Sequence, residues 1–144
     1  MSVLGELQPN KVFKYFEEIC SIPHGSRNLQ QISDYLVDFA KAHELKYRQD
    51  EDLNVIIWKD GSKGYEASEP VILQGHMDMV AVKEADCDKD MEKEGLDLEI
   101  NGDYISAKGT SLGGDDGIAV AYTLAVLDDE EMAHPPIEAI FTVN

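Results

Sequence analysis

The chain has 144 residues, 43% hydrophobic and 28% charged, with acids outnumbering bases 29 to 12 for a formal net charge of -17. That is enough sequence for one domain with a real core, too little for two, and too apolar for a disordered chain. The acidic surplus repels nucleic-acid phosphate and anionic lipid, which argues against both as partners, and is compatible with cations.

A first helix is expected from about Pro9, because proline suits a first helical turn, with Val12, Phe13, Phe16 and Ile19 at helical spacing and Pro23 ending the run. A second should run from about Asn28 to His43, burying Ile32, Tyr35, Leu36, Phe39 and Ala40, with His43 a surface residue beside the negative helix end. Leu53 to Trp58 reads as a strand, and Val71 to Gly75 as a short apolar strand covered on both faces. The charged stretch from Ala85 to Gly95 reads as a solvated excursion. Leu96 to Ile100 and Tyr104 to Ala107, flanking Asn101-Gly102, read as a hairpin. Gly117 to Leu127 is an apolar, alanine-rich helix, and Ile137 to Val143 a last strand. The alternation of helices and strands predicts an α/β fold, a layered sheet with flanking helices.

Residues 1–10 have neither the basic start nor the apolar run of a signal peptide, and no stretch approaches the ~20 apolar residues that cross a bilayer. Cys20 and Cys87 stand apart with no CxxC pair. Unpaired thiols in such a chain point to a reducing, cytoplasmic setting.

Three stretches hold residues that could do chemistry. At Gln74-Gly75-His76-Met77-Asp78-Met79 an apolar strand ends with His76 and Asp78 two residues apart. Strand alternation puts both on one face, at the carboxyl end where α/β folds place their sites. A neutral imidazole is a good zinc ligand, and its second ring nitrogen needs a carboxylate or carbonyl partner. Taken alone, the same HxD pattern also describes a hydrogen-bonded histidine beside a surface aspartate.

In Gly109-Thr110-Ser111-Leu112-Gly113-Gly114-Asp115-Asp116-Gly117, glycines flank an acid pair just before a helix. A carboxylate there can bridge two cations. It can equally cap the helix, with Asp116 complementing the helix end. A phosphate-cradling loop is excluded, since the required lysine is missing and two aspartates repel phosphate. Asp86, Asp88 and Asp90 mimic a calcium loop, but Met91 stands where glycine is needed and Asp97 where glutamate is needed. His24 reads as a capping or surface histidine and His134 as a loop residue. No Ser-His-Asp order is legible, and neither cysteine has a histidine nearby in sequence.

Four segments, in order along nearly the whole chain, carry a resemblance: Ile22-Pro23-His24, Leu73 to Val80, Gly109 to Ile118, and His134-Pro135-Pro136-Ile137-Glu138. Together they resemble the dinuclear zinc peptidases of the aminoacylase and carboxypeptidase G type, and within them the members that cleave dipeptides. The resemblance implies that His76 binds one zinc, that Asp115 bridges two, and that Asp78 belongs to the catalytic apparatus by orienting His76. It gives Asp116 no ligand role. It implies hydrolysis of a dipeptide by a water activated between two zincs. The rival expectations are a sibling aminoacylase or tripeptidase, or a non-catalytic domain for assembly or regulation.

In that family a glutamate pair follows the strand equivalent to residues 137–144, one glutamate the general base and the other a zinc ligand. A later acidic ligand, a distant histidine and an inserted second domain complete the enzyme. None of these is in this sequence. Residues 1–144 are therefore expected to be the amino-terminal portion of a catalytic domain, inactive by itself and a poor zinc binder.

Overall fold

The structure is a computed structural model and describes residues 2–144. Two helices come first, α1 at Asn10–Cys20 and α2 at Gln30–Ala42. Pro9 sits one residue ahead of α1 in extended conformation, so the proline precedes the first turn rather than opening it. The inward stripe of α1 is Val12, Tyr15, Phe16 and Ile19, with Phe13 only half-buried. On α2, Ile32, Leu36, Phe39 and Ala40 are buried as the spacing predicted. Tyr35 stays half-buried because its hydroxyl reaches the Glu18 carboxylate.

The main sheet has four strands in the order β1-β2-β6-β3, namely Lys46–Gln49, Val55–Lys59, Ile137–Thr142 and Val71–His76. β1 pairs with β2 and β2 with β6 in antiparallel fashion, whereas β3 lies parallel to β6. A separate hairpin joins β4 (Leu98–Asn101) to β5 (Tyr104–Ala107). Its two-residue turn is Gly102-Asp103, one position later than expected, with the positive φ of 60° at Gly102.

Alternation along β2 and β6 shows where the core lies. Val55 and Ile57 pair with Phe141 and Ala139, and all four are fully buried, while Ile56, Trp58, Glu138 and Ile140 between them are half-exposed. The helices thus cover one face of the sheet. α2 packs on β1 and β2, α3 (Gly114–Asp128) packs on β3 and β6, and α1 lies against α3.

Two expectations fail here. β3 is not covered on both faces: Ile72, 59% exposed, and Gln74 lie in register with Glu138 and Ile140 on the face away from the helices. An apolar run without alternation carries no information about which face is wet. His43 is not a free surface residue. It closes α2, stacks on Phe39 with ring centres 4.1 Å apart, and meets Asp128 at 3.1 Å. β1 was missed altogether, because Lys-Tyr-Arg-Gln lacks apolar signal and is held by pairing with β2.

The far end of α3 is tied down by polar contacts. The Lys59 ammonium donates to the carbonyls of Leu127 at 2.9 Å and Asp129 at 2.6 Å, which satisfies acceptors a helix end leaves open. Asp128 accepts the Tyr15 hydroxyl at 2.8 Å and faces His43 and Lys11. Partial burial raises its pKa, but the Tyr15 hydroxyl, Lys11 and His43 outweigh it and hold the carboxyl below its ordinary value. The folded state therefore gives up this proton first. Asp128's contribution to stability is whole above about pH 4 and is lost as pH falls through its lowered pKa. Asp128→Asn should flatten the acid side of the stability profile, measured by urea unfolding across a pH series.

Candidate metal centre

The site forms where the end of β3 meets the start of α3. Beyond His76 the chain stays extended, and its side chains alternate. Met77 and Met79 are buried at 2% and 3% exposure, which turns His76 and Asp78 together to the open side. The Met77 N–H bonds to the Thr142 carbonyl at 2.7 Å, so the segment is an extension of the β3–β6 ladder.

The other half comes from the glycine-flanked acid pair. Gly113 has a φ of 74°, and a Cβ there would lie 2.9 Å from the Met79 sulfur, so the turn passes tightly over the strand extension. Asp115 and Asp116 follow with non-helical backbone angles, joined by a cis peptide. Regular helix starts only at Gly117, where the sequence placed it. Neither acid makes a side-chain capping bond at the helix end. Both carboxylates turn toward His76 instead.

The geometry about His76 is specific. Asp78 Oδ1 lies 2.8 Å from Nδ1, and Asp115 Oδ1 lies 3.0 Å from Nε2. Asp116 Oδ2 accepts the His76 backbone N–H at 3.1 Å. Partial burial disfavours the imidazolium, but hydrogen bonds to Asp115 and Asp78, with the charges of Asp116 and Asp78, raise the His76 pKa above its ordinary value. Asp78 is mostly enclosed, with a side chain 17% exposed, whereas the Asp115 side chain is 94% exposed and free to engage a ligand.

One ligand atom each from His76, Asp115 and Asp116 lies within 4.8 Å of the others, the one such group among the described residues. An imidazole nitrogen with carboxylate oxygens is a donor set that suits zinc, so the residues fit a divalent cation. Three donors with water are enough for one ion and too few for two. Asp86, Asp88 and Asp90 join no such group; Asp90 instead accepts the Glu92 N–H in a local turn.

Sequence reading left two residues of this neighbourhood out. By sequence alone Asp116 reads as a charge that complements the helix end. The available signal was Gly75 on the facing strand, where a Cβ would come within 3.3 Å of the Asp116 carboxylate. Ser26, whose hydroxyl donates to Asp78 Oδ2 at 2.6 Å, lies 52 residues away and gave no local signal. One other histidine differs from expectation. His24 is 2% exposed rather than at the surface, with Nδ1 at 2.7 Å from the Ile22 carbonyl, and burial lowers its pKa. His134 is in a loop as expected but buried, its ring nitrogen bonded to the Pro135 carbonyl.

No model of a known protein family matches the chain. It is 40% identical to the cytosol non-specific dipeptidase of Escherichia coli over all 144 of its residues, which cover 30% of that protein. The fold superposes on the aminoacylhistidine dipeptidase of Vibrio alginolyticus with a TM-score of 0.96 and 38% identity, over 99% of this chain and 29% of that one. A tripeptidase from Staphylococcus aureus shares the fold with a TM-score of 0.74 at 23% identity, over 96% of this chain and 37% of that one. Along its whole length the chain is therefore similar to parts of these dipeptidases, and it spans less than a third of their length.

Proposed function

We propose that this chain forms the metal-holding corner of a peptidase active site and that the longer protein to which it corresponds hydrolyses dipeptides. The observation that carries the reading is the placement of His76 between two carboxylates, Asp78 on Nδ1 and Asp115 on Nε2, at the carboxyl end of a strand. Similarity to parts of two dipeptidases supports it. In this reading residues 1–144 are the amino-terminal part of the catalytic domain, and the protein works in the cytoplasm. The absence, among the described residues, of a helix long and apolar enough to cross a membrane agrees with that setting.

His76 and Asp115 would hold zinc, with Asp116 close enough to assist. When bound, zinc supplies Lewis acidity, which acidifies water and polarises a carbonyl. Asp78 accepts the Nδ1 proton of His76, which fixes the tautomer and leaves Nε2 directed toward Asp115. Asp116 holds the backbone of the same histidine. Asp115, reaching into open space, presents its carboxylate to the substrate side. Taking a proton from the attacking water and passing it to the leaving amine needs a further acid–base group, which falls outside these residues in this reading.

Replacing Asp78 by asparagine keeps the shape and removes the charge that orients His76. Metal affinity or activity should fall ~10–100-fold, with the unfolding midpoint nearly unchanged. The reading as a whole is tested with the protein at its natural length, assayed on dipeptides, tripeptides and N-acyl amino acids before and after chelation. Turnover of dipeptides that is lost to chelator and restored by zinc is the expected result. Preference for acylated amino acids or tripeptides would move the protein to a sibling activity, and turnover indifferent to chelation would remove the metal from the account.

A further inference from the structure

The loop between α1 and α2 does more than connect two helices. Its residues 24–26 lie alongside the strand extension as a short parallel ladder: the Met79 N–H bonds to the His24 carbonyl, and the Ser26 N–H to the Met79 carbonyl, each at 3.1 Å. Contact is so close that a Cβ on Gly25 would stand 2.8 Å from the Ala81 side chain, which requires glycine there. Asn28 closes the turn, its N–H on the Gly25 carbonyl at 2.8 Å, and its side chain reaches the Glu92 carbonyl at 3.0 Å. The ladder brings the Ser26 hydroxyl to Asp78 Oδ2 at 2.6 Å, the length of a charge-assisted O–H···O bond.

An ionised carboxylate only accepts, so the hydroxyl proton points at Asp78. Asp78 then has one oxygen on Ser26 and the other on His76 Nδ1, which pins its rotation at both ends. Without the serine, Oδ2 would face water, and the carboxylate could turn away from the imidazole.

We propose that Ser26 is a positioning residue for the metal centre: through Asp78 it sets the direction in which His76 Nε2 faces the cation. The proposal rests on the metal-centre reading, and its test separates the two. Zinc affinity, by chelator competition, and unfolding temperature are measured on the protein at its natural length for Ser26→Ala, Ser26→Thr and Asp115→Ala. Ser26→Ala should weaken zinc binding about 10-fold, at the lower end for an outer hydrogen-bond partner because the serine is exposed. Ser26→Thr keeps the hydroxyl and should recover most of that loss, and the unfolding temperature should hold in both. Unchanged affinity in Ser26→Ala overturns the proposal while leaving the site, provided Asp115→Ala loses zinc. A loss that threonine fails to rescue, or that comes with a lower unfolding temperature, assigns Ser26 to the loop's fold and also overturns it. Retention of zinc by Asp115→Ala would remove the site itself, and Ser26's role with it.

Discussion

In the protein at its natural length, and on the proposed reading, Asp115→Ala should abolish tight metal binding and peptidase activity together while leaving the fold intact. The Asp115 side chain is 94% exposed, and the one side-chain hydrogen bond it makes is to His76 Nε2. Nothing in the core depends on it, so the change in unfolding free energy should stay within about 0.5 kcal/mol. What goes is a carboxylate that the donor set cannot replace: His76 and Asp116 would remain, and two donors leave most of a cation's surroundings to water. The loss of zinc affinity should exceed the ~10–100-fold typical of a partner one step removed from the metal. Calorimetric zinc titration beside urea unfolding separates the two effects. An enzyme that keeps full activity with alanine at this position would show that the acid pair only starts the helix.

Phe141→Ala should have the opposite profile, a large loss of stability. Phe141 is fully buried on β6, the strand that holds β2 on one side and β3 on the other. Its partners across the ladders are Val55 and Gly75, and glycine offers no side chain to close a gap. Truncation removes a ring and leaves a cavity in the middle of the sheet, for a cost of about 3–5 kcal/mol, read from urea unfolding. A cost below about 1 kcal/mol would mean that the strands close over the gap and that this part of the core is loosely packed.

Much of this was legible in the sequence, for physical reasons. Period-3.6 spacing found α1 and α2 because each turns one stripe inward, and the start of regular helix at Gly117 was found because glycine and acid punctuate the chain there. The pairing of His76 with Asp78 followed from strand alternation. The approach of Asp115 to His76 is a contact across 39 residues, which spacing cannot give; the ordered set of motifs carried it. What stayed hidden depends on partners distant in sequence. β1 exists because β2 pairs with it, the wetness of β3 follows from helices covering only one face of the sheet, and His24 is buried by the strand extension on which its loop lies. Asp116 looked like a helix-end charge, since its bond to the His76 backbone needs the tertiary turn at Gly113.

The central claim is that His76 and Asp115 hold the metal. It is tested most directly by anomalous diffraction above the zinc edge from crystals of the protein grown with zinc. The account predicts the strongest anomalous peak between His76 Nε2 and the Asp115 carboxylate, with Asp78 still on Nδ1. Zinc located elsewhere, with His76 and Asp115 still bonded only to each other, would contradict it.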